Sequence, residues 1–409
     1  MTGKRDLSLE DYAHRRWVLS GLEPLTERFP YNTSTELIGA GSHGPLKASF
    51  AHYDYLGLAD EPSIQAAAVD AARTIGVGSG ASRLVGGEYN IHRQLERELA
   101  AFLGVEDTLA MVSGYGTNVA LIGHLLMKGD LLLVDEASHN SIMTGARLSR
   151  AQTLEFRHND LDHCAQLLAQ HRESFKRVLI VVEGLYSMDG DVPDLPRLCA
   201  LCRRHGAWLM VDEAHSIGVL GNRGRGLSEH FGLAAAEVDL IVGTLSKALV
   251  SCGGFIAGKQ RIIQWLRHAL PGFVYSVGLP PPSAAAALQA LRLLQDEPWR
   301  VERLRERSSY FFGRACASGL EVGTAVGHAV IPLLMPDVPT ALTAGRVALD
   351  AGYFVPPIAQ IAVPKDAPRL RCFLTAKHTH EQIDGLIEAL APFAGLRRDE
   401  APVSSSGTS

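Results

Sequence analysis

Short apolar runs alternate with longer amphipathic stretches through the middle of the chain. Leu, Val and Ile crowd into LLLVDE (131–136), VLIVVEG (178–184), AWLMVDEA (207–214) and DLIVGT (239–244). Between them, HNSIMTGARLSRA (139–151), DLDHCAQLLAQHRES (160–174) and PDLPRLCALCRRHG (193–206) repeat their apolar positions at helical spacing. Strands that are apolar at nearly every position are covered on both faces. The pattern therefore predicts an α/β fold, with a mostly parallel sheet between layers of helices. Ligands of such sheets sit beyond the carboxyl ends of the strands, where the connecting loops begin. The Asp and Glu residues that close these runs stand at that edge.

The flanks read differently. Residues 1–50 form an arm with a polar helical start. Helices are expected over 283–297 and 299–318. A strand (329–335), a helix (339–351), strands at 353–358 and 369–375 and a helix (379–393) follow. This order defines a large domain over 51–284, a smaller α+β domain over 285–398 and a flexible tail over 399–409, with Pro280, Pro281 and Pro282 at the approach to the boundary.

Composition narrows the class. A chain of 409 residues, 46% hydrophobic, has ample core and is not a disordered polymer. Its net charge of −5 gives no basic face for nucleic acid or an acidic membrane. No run of 18 apolar residues occurs, and Met1–Leu22 lacks the apolar centre of a signal peptide, so neither a membrane span nor export is expected. Six scattered cysteines suit reduced thiols in a cytoplasm. Cys199 and Cys202 form a CxxC, but it lies in an amphipathic helix without a second ligand pair. Buried structural thiols are expected there rather than a zinc site.

Only eight residues are lysines, and Lys247 has the least ordinary setting: it follows an apolar strand in GTLSKALVSCGGFIAG (243–258), among small residues. An amine that forms a Schiff base must lose its proton far below the usual ~10.4, and partial burial achieves this. The plain alternative is a helix-start lysine whose stem reaches water. In VDEAHSIGVLG (211–221), Asp212 closes a strand and His215 follows within three residues, so both can face one pocket. A buried carboxylate there requires a cation or several donors. A structural Asp–His pair is the alternative, and metal lacks a third ligand nearby. SGYGTN (113–118) precedes a helical run, placing Gly114 and Tyr115 at a helix N-terminus suited to phosphate. His139 lies just past a strand, where it either stacks on a planar ring or caps the next helix. EGLYSMDGD (183–191) offers Glu183 and Ser187 at another strand end. GVGSGASRLVGG (76–87) fails as a dinucleotide fingerprint and reads as a flexible loop beside the substrate, or as a plain turn. One Lys, one Asp, two His and a Gly/Ser helix start at the ends of one sheet together match the needs of pyridoxal 5′-phosphate (PLP): Schiff base, pyridinium partner, ring stacker and phosphate seat.

At these residues, from YDYLGL (53–58) to FLTAKHT (373–379), the chain resembles the α-oxoamine synthase family of fold-type I PLP-dependent enzymes. The resemblance implies Lys247 as the Schiff-base lysine, with Thr244 and Ser246 near the phosphate. It implies Asp212 on the pyridine nitrogen, His215 on the ring hydroxyl and His139 stacked on the ring. Gly114, Tyr115, Glu183 and Ser187 are implied around the cofactor, and Arg371, in PRLRCFLTAKHT, as the clamp for an amino-acid carboxylate. It implies a homodimer with interfacial sites. The implied reaction is a decarboxylating condensation of glycine, alanine or serine with an acyl thioester, carried by CoA or an acyl carrier protein. An aminotransferase of the same fold, or a non-catalytic partner subunit, remains the alternative.

Three departures stand out. Tyr53-Asp54-Tyr55 replaces the Asn-Asp-Tyr of the oxononanoate synthase branch. YSVGLPP (275–281) lacks the usual hydroxyls before its prolines, so a contact to the partner's phosphate is weakened or falls to Ser276. FVPPIAQIAVPKDAPRLR replaces the usual Arg-Pro-Pro, which implies a different acyl side of the pocket.

Overall fold

A computed structural model of the chain describes residues 8–20, 46–359 and 367–396. The tail over 399–409 and part of the expected arm lie outside the described residues. Among the described residues twelve strands are present: β1 (Ala48–Ser49), β2 (Asp107–Met111), β3 (Leu131–Asp135), β4 (Gln152–Phe156), β5 (Val178–Glu183), β6 (Trp208–Asp212), β7 (Leu240–Thr244), β8 (Gly254–Gly258), β9 (Val330–Leu334), β10 (Tyr353–Phe354), β11 (Pro357–Ile358) and β12 (Arg369–Phe373).

Seven of these form one sheet in the order β2-β8-β7-β6-β5-β3-β4. The pairs β7/β6, β6/β5, β5/β3 and β3/β4 are parallel, and β8 runs antiparallel to both β7 and β2. The four strands read as near-continuous apolar runs are buried at every position except Trp208, the half-buried first residue of β6. Their side chains alternate between two cores, as the strand period of two requires. Leu131, Leu133, Ile180, Val182, Val211 and Ile241 pack on one face. Leu132, Val134, Leu179, Val181, Met210 and Val242 pack on the other. Each such side chain contributes roughly 1.5–3 kcal/mol by leaving water, so both faces must be covered.

Helices Asn140–Ser149, Leu161–His171 and Leu195–His205 form within the three stretches read as amphipathic. The last is capped by Asp194 and ends at Gly206 in the left-handed region (φ 58°), the usual glycine stop. Cys199 and Cys202 are buried along its inner face. Strands β2, β4 and β8 were not singled out in the sequence. The first two alternate polar and apolar residues weakly over five positions, and β8 is the glycine-flanked GFIAG.

The expected boundary near 285 falls in the first turn of the helix Pro281–Asp296, which packs against helices Pro62–Thr74 and Asn90–Leu103. Beyond it, β9, β12 and β11 form a three-stranded antiparallel sheet, and β1 of the arm pairs in parallel with β10. Segment 76–87 is pinned rather than loose. Arg83 is buried and bonded to Glu88 and Glu96, and Ser79 donates to the Leu279 carbonyl. None of its residues lines the cavity described next.

Candidate active site

The carboxyl ends of the parallel strands open into a cavity of about 880 Å3. All eleven residues expected at the site line it: Lys247, His139, Asp212, His215, Gly114, Tyr115, Glu183, Ser187, Thr244, Ser246 and Arg371. Ten of them follow or close a strand of the large sheet. Arg371 comes from the middle of β12 and reaches in from the smaller sheet.

Lys247 sits in a tight turn after β7 rather than at a helix start. Leu245 N donates to Gly253 O (2.9 Å), Ser251 N to Leu245 O (2.8 Å) and Val250 N to Lys247 O (3.0 Å). Val250 closes the turn at φ 41°, a region costly for a β-branched residue, so surrounding contacts hold the turn in shape. Burial lowers the Lys247 pKa to about 8, although Asp212 and Glu183 act the other way by favouring its charge. Burial, and then the charge of Asp212, raises the Glu183 carboxyl to about 8. Glu183 accepts the backbone N–H of His139 (2.6 Å).

Asp212 is buried and accepts two neutral donors: Ala214 N on Oδ1 (2.9 Å) and Asn118 Nδ2 on Oδ2 (2.6 Å). Among the described residues no ion pair within 4 Å engages it. A carboxylate so placed suits a protonated ring nitrogen arriving from the cavity. Asn118 also donates to Ser141 Oγ (2.9 Å), which bonds His139 Nδ1 (2.7 Å). One chain of bonds thus links Asp212 to His139. His139 caps the helix Asn140–Ser149, with Ser141 N donating to Nδ1, as one of the two readings made of it expects, and it also lines the cavity. Burial lowers its pKa, and it lowers that of His215 much further, so both imidazoles are neutral near pH 7. The His215 Nδ1 lies 2.6 Å from Tyr55 Oη. Burial raises the Tyr55 phenol well above its ordinary value, so it keeps its proton and bonds Nδ1 as a neutral hydroxyl.

The other end of the cavity suits a phosphate. Ser113 caps the helix Gly114–Leu125 by accepting Gly116 N, and Gly114 opens that helix. A Cβ on Gly114 would come within 2.8 Å of Thr244 Oγ1, so the backbone approaches closely only because the residue is glycine. Thr244 Oγ1 and Ser246 Oγ lie 2.7 Å apart, a hydroxyl pair facing the helix start. Free N–H groups, hydroxyls and the positive helix end together fit a phosphate. A buried Asp without a cation at one end and this seat at the other fit PLP. None of residues 275–278 lines the cavity of this chain.

Three further residues contribute to the site; in the sequence Tyr53 and Tyr55 stand in the Tyr-Asp-Tyr departure and Asn118 in SGYGTN, but none of them was expected there as a site residue. Asn118 stands one helical turn from Gly114 and so shares its inward face. Tyr53 bonds Arg371 Nη2 through its hydroxyl (3.3 Å) and holds its ring 5.5 Å from Lys247 Nζ. Tyr55 orients His215, and no spacing announces it.

A strand-end lysine, a buried aspartate, a histidine wall and a helix-start phosphate seat around one parallel sheet define a fold-type I PLP-dependent enzyme. Comparison with known proteins agrees. The family model for aminotransferase class I and II matches residues 47–390. A serine palmitoyltransferase of Bacteroides thetaiotaomicron is 38% identical over 377 residues, covering 92% of this chain and 94% of that protein. An 8-amino-7-oxononanoate synthase of Symbiobacterium thermophilum is 40% identical over 346 residues, covering 85% and 87%. Among solved structures, a serine palmitoyltransferase from S. paucimobilis with bound PLP–myriocin aldimine aligns with a TM-score of 0.81 at 31% identity, over 84% of this chain and 86% of that one. The chain belongs to the aminotransferase class I and II family, in its α-oxoamine synthase branch, and is a PLP-dependent acyltransferase.

Proposed function

We propose that this enzyme condenses a small amino acid (glycine, alanine or serine) with an acyl thioester of CoA or an acyl carrier protein, releasing an α-amino ketone, CO2 and the free thiol. The observation that carries this reading is Arg371, whose guanidinium lines the cavity that also holds Lys247 and, among the described residues, is held only by neutral groups. In the net reaction a bond forms between the amino acid Cα and the acyl carbonyl carbon. The C–S bond breaks, and the carboxylate leaves as CO2.

PLP, when bound, supplies an electron sink for charge developing at the substrate Cα. Arg371 binds and orients the substrate carboxylate. Lys247, with a pKa near 8, is neutral in a useful fraction near neutral pH and takes the proton from Cα through Nζ. A positioned base of this kind contributes about 10²–10⁴-fold. Asp212 holds the proton on the ring nitrogen, and Asn118 fixes the carboxylate that does so. His139 forms one wall against the ring. His215, with Nδ1 occupied by Tyr55, presents its Nε2 proton as a donor for a ring or carbonyl oxygen.

A homodimer is part of the proposal. Val77, Val85, Tyr275 and Val277 are each more than half exposed. Their two segments are joined by the Ser82/Val277 bridge and the Gly278 N to Ala81 O bond, so the side chains share one apolar surface that a second copy would cover. A cytoplasmic location is supported by six unpaired cysteines, and no helix among the described residues is long and apolar enough to cross a membrane.

The test incubates the purified holoenzyme with each amino acid and with short and long acyl thioesters, reading thiol release and product mass. Thiol release together with an amino-ketone product supports the reading. A keto-acid product without thiol release identifies an aminotransferase and overturns it. Lys247→Ala must abolish turnover.

A further inference from the structure

Behind the cavity, outside the residues that line it, His158 stands two positions past β4 with both ring nitrogens against carboxylates. Nδ1 lies 2.8 Å from Asp135 Oδ1, and Nε2 lies 3.1 and 3.0 Å from the two oxygens of Asp191. A neutral imidazole carries a single N–H and would turn a lone pair towards one of those carboxylates. Both contacts are bonds only when the ring is a cation. Burial acts to lower the His158 pKa, but the bonds from Asp135 and Asp191 override it and bring the value to about 10. The Tyr186 ring packs edge-on against the imidazole at 4.5 Å, closing the cluster on the protein side.

The two carboxylates belong to different walls of the cavity. Asp135 ends β3 and builds the turn that leads to His139. Its Oδ1 also accepts Ala137 N (2.8 Å), its carbonyl accepts Ser138 N (3.0 Å), and its Oδ2 accepts Asn159 N (2.8 Å). Asp191 ends the loop that follows β5. Its carbonyl accepts Tyr186 N (3.0 Å), and Gly190 N donates back to Tyr186 O (2.9 Å). Inside that loop the Ser187 carbonyl and Met188 Sδ hold Arg371 Nη1. The β3/β5 ladder stops at Val134 and Val181, so past that point side chains must set the distance between the walls. The Glu183–His139 bond does so at the cavity floor, and the Asp135–His158–Asp191 bridge does so behind it.

We propose that His158 is a positioning residue, a cationic strut between Asp135 and Asp191 that holds the His139 wall and the Arg371-backing loop at the separation the amino acid requires. The proposal rests on the reading of Arg371 as the carboxylate's partner. It assigns to His158 no contact with substrate or cofactor. Its effect is geometric, and displacements of about 1 Å in a catalytic site are costly, reaching ~10²-fold.

The test uses holoenzyme of the wild type, His158→Gln, Asp191→Asn and Arg371→Met. Amino-acid affinity is read from the change in cofactor absorption on titration, and KM for the thioester is read separately. His158→Gln is expected to weaken amino-acid binding about tenfold and Asp191→Asn about threefold, both retaining PLP and keeping the thioester KM within twofold. An amino-acid affinity within twofold of wild type in folded His158→Gln overturns the strut, even if thermal stability falls. Should His158→Gln fail to fold, Asp191→Asn carries the same criterion. Arg371→Met separates the two readings. Weakened binding there with unchanged binding in His158→Gln overturns the strut alone, and unchanged binding in Arg371→Met overturns the carboxylate reading on which the strut depends.

Discussion

Arg369 and Arg371 leave β12 two residues apart, and among the described residues only Arg369 meets a carboxylate. Arg369 Nη1 lies 2.6 Å from Asp189 Oδ1 and also bonds the Met188 carbonyl. Arg371 bonds the Ser187 carbonyl (3.1 Å), the Met188 sulfur (3.2 Å) and the Tyr53 hydroxyl (3.3 Å), and its Nε is buried without a partner. Neutral acceptors orient a guanidinium without cancelling its charge. The strand period of two sends both side chains to the same face, and their partners make one a structural tie and leave the other available to an anion.

Removing that charge should therefore act on substrate binding rather than on the cofactor. Arg371→Met is expected to raise the amino-acid KM by about 10–100-fold, the equivalent of one charged hydrogen bond of roughly 1.5–3 kcal/mol. Tyr53→Phe, which removes a single neutral contact to the same group, is expected to raise it by no more than about threefold. Steady-state kinetics with the amino acid varied at saturating thioester measures both. An unchanged KM in Arg371→Met would remove Arg371 from the substrate site.

The bond chain Asp212–Asn118–Ser141–His139 makes a second prediction. Asn118→Ala leaves a buried carboxylate with one donor fewer and lets the His139 ring turn. Turnover is expected to fall about 10–100-fold, again the scale of one bond to a charged group. Asn118→Asp should be worse, because a second carboxylate would face Asp212 at the present 2.6 Å contact, and one of the two must then take up a proton. The rate of that variant should show a pH dependence in the acid range that is absent from the wild-type profile measured beside it.

How much of this was legible in the sequence follows from the physics of each part. The four central strands announced themselves because burial on both faces demands apolar residues throughout. Lys247, Asp212 and His139 did so because polar residues immediately after such runs can only lie at the carboxyl edge. Strand β8 was missed: its glycines, at positions 254 and 258, carry little strand propensity, and its antiparallel direction is imposed by the turn after Lys247. Tyr55, Asn118 and His158 were missed as functional groups because each acts through a partner remote in sequence. Their roles exist only after the strand ends converge. The misreading of segment 76–87 has the same origin. Its glycines suggest looseness, while Glu88 and Glu96, which pin Arg83, lie beyond it in the chain.

Gly114 can be tested for the phosphate seat. In Gly114→Ala the new methyl would stand 2.8 Å from Thr244 Oγ1 and 3.1 Å from Thr244 Cβ, so Thr244 or the helix start must shift and the hydroxyl pair with Ser246 is disturbed. Alanine favours a helix over glycine by about 1 kcal/mol, so the helix itself should not weaken. Retention of PLP is therefore expected to fall about tenfold without a matching loss of melting temperature. Equilibrium dialysis of the cofactor and a thermal melt of the cofactor-free protein distinguish the two effects. Parallel losses would mean that Gly114 matters to the fold and not to the seat.

The last prediction concerns the charge on Lys247. Burial lowers its pKa to about 8, so the amine is mainly protonated below pH 8 and mainly neutral above it. Only the neutral amine attacks an aldehyde, so the rate at which PLP recombines with cofactor-free protein should climb about tenfold per pH unit below that value and level off above it. An ordinary lysine would keep climbing to about pH 10.4. The direction in a variant follows from the same balance. Asp212 favours the charged amine, so in Asp212→Asn the pKa falls further and the plateau is reached at lower pH. Stopped-flow absorbance of the recombining cofactor reads both midpoints. A wild-type midpoint near 10, or a shift upwards in Asp212→Asn, would show that burial does not set the reactivity of Lys247.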